Sequence, residues 1–67
     1  MHIHIKQTAP GRYVVSEGGS WLPGVYASEA AARRAVDLDS EQLAALWQSA
    51  LVASPDAVLT LDALEAA

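Results

Sequence analysis

The chain has 67 residues, a net charge of −4 and no cysteine, which bounds it at one small domain without disulfide or thiolate–zinc staples. Four cations against eight anions are a poor footprint for phosphate backbones, so nucleic acid is disfavoured as a partner. No apolar run approaches the ~20 residues that cross a bilayer, and residues 1–6 lack the apolar core of a secretory signal, so the expectation is a cytoplasmic protein without a membrane span.

Residues 2–7 alternate, with His2, His4 and Lys6 on one side and Ile3, Ile5 and Gln7 on the other. That period of two predicts a strand with Ile3 and Ile5 facing inward. Thr8-Ala9-Pro10-Gly11 reads as a turn, Pro presetting φ and Gly taking the left-handed position. Its register is open, because the type II geometry that Pro-Gly favours fits tight two-residue hairpins poorly.

Residues 12–17 form the second predicted strand and 20–26 the third, joined by Gly18-Gly19. Two glycines allow positive φ at both central positions, as a type I′ hairpin turn requires. The pairing then sets Glu17 opposite Ser20, Ser16 opposite Trp21 and Val15 opposite Leu22. Pro23 cannot donate to a ladder, so the third strand is an edge or ends there, and Gly24 marks a kink or a close backbone approach. The expected sheet is an antiparallel meander whose inner face carries Ile3, Ile5, Tyr13, Val15, Leu22 and Tyr26.

Helices follow. Ser28 precedes Glu29-Ala30-Ala31-Ala32 as an N-cap, with an anion in the first turn where the helix dipole favours it. The predicted helix covers 29–37 and offers Ala32, Ala35 and Val36 to the sheet. Asp39-Ser40-Glu41-Gln42 resembles a capping box. It opens a helix over 40–53 with Leu43, Leu46, Trp47, Ala50 and Leu51 on one stripe. Ser54-Pro55-Asp56 stops it. Ala57-Val58-Leu59 reads as an extended link, and Thr60 caps a last short helix over 61–66. The fold class is therefore α+β: a three-stranded antiparallel meander, then two or three helices packed on one face.

Candidate sites are few. His2-x-His4 puts two imidazoles on one strand face, where Glu17 or the α-amino group could add a ligand, but structural zinc takes four. The reading adopted is a solvated strand face and no metal. Asp37-x-Asp39-x-Glu41 begins like a calcium loop, yet Gln42 stands at the glycine position and Gln48 at the bidentate glutamate position. The serines have turn, cap or helix-face roles, and no helix follows Gly18-Gly19 directly to make a phosphate cradle. The expectation is a non-enzyme without catalytic residues or cofactor. The aromatic residues are Tyr13, Trp21, Tyr26 and Trp47. Trp21, Tyr26 and Trp47 are the candidate partner-binding residues, Trp21 above all, because the Gly18-Gly19 register turns it away from Val15 and Leu22. Lys6, Arg12, Arg33 and Arg34 are every cation present and form the alternative, a nucleic-acid contact, with Lys6 and Arg12 on the sheet face and Arg33 and Arg34 on the outer side of the first helix.

Gly11-Arg12-Tyr13-Val14-Val15, the run from Gly19 to Glu29, and Ala32 and Ala35 resemble a group of small uncharacterised proteins encoded in bacteriophages and prophages. That group shares a GRYV…GSW-(L/I)-PG-x-Y-x-S-x-x-x-A signature, and Leu59-Thr60-Leu61-Asp62-Ala63-Leu64 is similar to its ending. The resemblance implies a phage or prophage origin and a host-cytoplasmic location, with no chemistry attached. A second resemblance, of shape, is to the amino-terminal DNA-binding domains of tyrosine integrases, three strands followed by a helix. It implies DNA reading by a polar sheet face. The function expected is an accessory protein that binds protein, either a phage or host component or a second copy in a homodimer. A core this small gives self-association a motive.

Overall fold

The computed structural model describes residues 2–66. The elements run β1 (Ile3–Ala9), β2 (Arg12–Glu17), β3 (Ser20–Trp21), α1 (Glu29–Val36), α2 (Ser40–Ala53) and α3 (Leu61–Glu65). The sheet is antiparallel in the order β1-β2-β3, so the α+β meander expected from the sequence is the fold.

Both hairpins follow from their turns. Gly18 and Gly19 take φ of 57° and 88°, the positive pair that a two-residue type I′ loop needs. The register is Glu17↔Ser20 and Ser16↔Trp21, continued by Leu22 N–H donating to Val15 C=O at 2.9 Å. The first hairpin pairs Ile3↔Glu17, Ile5↔Val15 and Gln7↔Tyr13, then slips by one residue to Ala9↔Arg12. The bulge at Thr8 resolves the open register. A Pro-Gly loop splays a tight hairpin, and a bulge adds the local twist that brings the strands back together.

The third strand is shorter than the expected 20–26. It ends at Trp21, and the chain bends at Pro23-Gly24 before Tyr26 rejoins β2. Tyr13 and Tyr26 exchange both backbone hydrogen bonds at 2.8 Å. The Gly18-Gly19 register would set Tyr13 opposite Gly24, so two residues are looped out. A slip of two preserves side-chain parity, which keeps Tyr26 on the inner face. Gly24 has a φ of +115°, and a Cβ there would stand 3.1 Å from Leu59 Cδ1 and 3.2 Å from the Tyr26 hydroxyl. Only glycine fits this bend.

The link after α2 is also more ordered than an extended connection. Leu59 forms a parallel bridge with Tyr26, its N–H donating to Val25 C=O at 2.8 Å while Ala27 N–H donates to Leu59 C=O at 2.9 Å. The chain end is thus stitched to the far side of Tyr26, opposite β2. The Arg12 guanidinium adds a tie, donating to the Asp56 carbonyl at 3.1 Å.

The buried core is Val15, Tyr26, Ala31, Ala32, Ala35, Leu43, Leu59 and Leu64. Three alanines let α1 lie close to β1 and β2, and α3 packs against α1. Ser28 caps α1 by accepting from Ala31 N–H, and Thr60 caps α3 by accepting from Ala63 N–H. Asp39 occupies the N-cap position of α2 but makes no side-chain cap bond, so the capping box is not formed. Leu43 is buried, and Leu46, Trp47 and Ala50 pack partly against the core. Ile3 departs from the inward expectation at 42% exposed, because α1 covers Ile5 more fully than the strand's beginning.

Candidate functional site

The structure separates the three aromatic candidates. Tyr26 is fully buried, and its hydroxyl donates to the Pro23 carbonyl. Burial pushes its pKa up to about 12, because the phenolate would lose its hydration. Tyr26 is therefore a core residue, and no partner reaches it without unfolding the bend; this corrects its place among the binding candidates. Trp47 is half-buried against the core cluster, so packing explains most of its surface. Trp21 stands apart at 65% exposed.

Cross-strand pairing builds the surface around Trp21. His4 pairs with Ser16, and Ser16 with Trp21, so these residues form one row across all three strands. Directly opposed residues share a face, and this is the face turned away from α1. Lys6, paired with Val14, lies in the next row. The backbone under Trp21 is held by the Ser16 pairing and the adjoining Gly18-Gly19 turn, which makes the ring an anchored apolar projection on a polar sheet face. Val52 is more exposed still, at 88%, but it sits alone on α2.

The four cations do not converge. Lys6 lies on the Trp21 face, and Arg12 is tied to the Asp56 carbonyl at the start of β2. Arg33 pairs with Glu29 at 3.5 Å across one helical turn of α1. That exposed pair contributes only a few tenths of a kcal/mol. Arg34 is half-buried, and its Nε is enclosed without a hydrogen-bond partner. Sheet and helix therefore split the cations between separate surfaces.

His2 and His4 are both exposed, and among the described residues no group of three or more His, Cys, Asp or Glu side chains gathers in metal-binding geometry. No helix of the described residues is long and apolar enough to cross a membrane.

Sequence reasoning missed a second surface. A groove of about 360 Å³ opens between the outer edge of β1 and α1, lined by Ile3, His4, Ile5, Glu29, Arg33 and Val36. Its only signal in the sequence is the spacing of Glu29, Arg33 and Val36 along one helix stripe. Which strand that stripe would flank depends on tertiary packing. No protein-family model, curated protein or solved structure matches the chain.

Proposed function

We propose that this chain is a small non-enzymatic accessory protein of the phage or prophage kind, working in the host cytoplasm by binding another protein through the sheet face that carries Trp21. The observation that carries the reading is Trp21 itself, an indole two-thirds exposed yet fixed at its backbone by strand pairing. Exposing so much apolar surface is costly in water, and a pre-positioned Trp loses little conformational entropy when a partner covers it. The phage attribution rests on the GRYV and GSWLPG signature residues. A foreign partner is favoured over a second copy, since Leu43, Leu46, Trp47 and Ala50 already pack against this chain's own core.

Affinity capture from host lysate tests the reading, comparing the wild type with Trp21→Ala and Trp21→Phe. A protein retained by wild type and by Trp21→Phe, and lost with Trp21→Ala, supports it. Capture profiles that do not change with position 21 refute it.

A second reading has one observation in its favour. Lys6 and His4 lie on the same face as Trp21, so a single-stranded nucleic acid could stack on the indole while its phosphates meet Lys6. Binding of that kind weakens as salt rises, and Lys6→Ala flattens the slope by about one. Absence of a gel shift at low salt removes this reading.

A further inference from the structure

The sheet order leaves β1 at an edge, paired only with β2. The direction of its unused hydrogen bonds follows from its neighbours. Tyr13 exchanges both backbone bonds with Tyr26, and Val15 C=O accepts from Leu22 N–H. Both residues thus turn their backbone groups toward the β3 side. Their partners Gln7 and Ile5 stand in non-hydrogen-bonded positions against β2, so the N–H and C=O of each point outward. Gly18 N–H donates to His2 C=O at 3.2 Å, which places the even positions on the bonded side and Ile3 with Ile5 and Gln7. Among the described residues no backbone group outside β2 pairs with these three.

A wall stands beside this edge. Glu29, Arg33 and Val36 project from one stripe of α1 and, with Ile3, His4 and Ile5, line the groove of about 360 Å³. A strand edge with outward N–H and C=O groups, flanked by a helix across a groove that exposes Ile3 and Ile5 beside polar side chains, is the geometry that accepts an added strand. From Ile3 to Gln7 an extended chain runs about 13 Å, enough to use all three outward residues.

The charges decide the occupant. On the outer face beside the edge, His4 and Lys6 are both exposed. If a second copy of β1 paired antiparallel here, its outward residues would meet odd to odd. In the three registers centred on Ile5 or an adjacent residue, Lys6 then falls opposite His2, His4 or Lys6 of that copy, without an anion in any of them. A strand with an acidic residue opposite Lys6 gains the opposite-charge pair that a second copy lacks. The geometry points to the groove between β1 and α1 as a docking site for an extended protein segment of alternating apolar and acidic residues, added as a strand beside β1. Its apolar side chains cover Ile3, Ile5 and Val36, and a carboxylate on its outer face meets Lys6. The site lies at the β1 edge, across the sheet from Trp21 on β3, shares with it only the face that carries Lys6, and rests on the protein-binding reading only in its general class.

The experiment uses the full chain, isotopically labelled, titrated with acetyl-Val-Glu-Val-Glu-Val-Glu-amide and, as control, the same peptide with Lys in place of Glu. The glutamate peptide is expected to shift the amide resonances of Ile3, Ile5 and Gln7, and the lysine peptide to leave them in place. Lys6→Glu, a change at an exposed position, should weaken the glutamate peptide roughly fivefold to tenfold. N-methylation of alternate peptide amides should abolish binding in one of the two sets and spare it in the other, because only one set faces β1. Trp21→Ala should leave the titration unchanged, so loss of this site and loss of the Trp21 site register independently. Equal binding of the lysine peptide, shifts centred on Trp21, no shift at millimolar peptide, or concentration-dependent pairing of β1 with itself would each overturn the proposal.

Discussion

Replacing Gly24 by alanine tests the bend that brings Tyr26 and Leu59 together. Two separate costs are expected there. A residue with a side chain is strained at a φ of +115°, and conformations this sparsely populated cost roughly 1–3 kcal/mol. The added Cβ would also stand 3.1 Å from Leu59 Cδ1, 3.2 Å from the Tyr26 hydroxyl and 3.3 Å from its Cζ. Two of these neighbours belong to a fully buried ring hydrogen-bonded at its tip, which cannot give way easily, and overpacking of this kind costs about 1–3 kcal/mol. The sum, roughly 2–6 kcal/mol, is comparable to the whole stability of a chain this size at ~0.05–0.15 kcal/mol per residue. Gly18→Ala provides the control. Its φ is +57°, and a Cβ there meets nothing within 4 Å, so it carries only the left-handed penalty of about 1–2 kcal/mol. Urea denaturation of both variants separates the terms. Gly24→Ala is expected to be largely unfolded without denaturant, and Gly18→Ala to fold with a lowered midpoint. Equal midpoints would refute the claim that the bend is closed by Leu59 and Tyr26.

Three further outcomes follow from the same contacts. The Tyr26 phenol ionises near 10 when unfolded and at about 12 when folded, so its contribution is intact below pH 10 and lost between pH 10 and 12, about 2–3 kcal/mol in all. Tyr26→Phe should cost about 1 kcal/mol at pH 7 for the Pro23 hydrogen bond and flatten this alkaline loss, as read by denaturation at several pH values. Ser28→Ala should cost about 1 kcal/mol, because its hydroxyl caps Ala31 N–H. Asp39→Ala should cost less, since Asp39 makes no cap bond; equal losses in thermal melts would contradict this. Arg34→Met keeps the aliphatic stem and removes a buried Nε–H without an acceptor, so stability should hold or rise, and a loss above ~1 kcal/mol would show that the donor is paired.

Local chemistry made much of the fold readable. Gly18-Gly19 specified its own turn and register, Ser28 and Thr60 announced helix starts, and the Leu43–Leu46–Trp47 spacing announced α2. What stayed hidden depends on distant partners. Nothing in Ala57-Val58-Leu59 signals that Leu59 will bridge to Tyr26, since one residue pair more than thirty positions apart has no period to detect. The Thr8 bulge compensates a twist mismatch visible only once both strands are laid side by side. Asp39 has the right residue type for a cap, but its side chain makes no bond to the helix start. Trp21 was legible as an outward residue because its parity follows from the turn. The β1–α1 groove was not, because the way α1 lies across the sheet is set by three buried alanines whose small size carries no directional information.

Photo-crosslinking tests the central claim, that the Trp21 face binds a protein partner, most directly. A benzophenone amino acid is placed at position 21 and, as a more accessible apolar control, at position 52, where Val52 is 88% exposed on α2. Irradiation in host lysate is followed by mass spectrometry of the adducts. The account predicts a defined protein adduct from position 21 that position 52 does not form. The same adducts from both positions, or none from position 21, would contradict it.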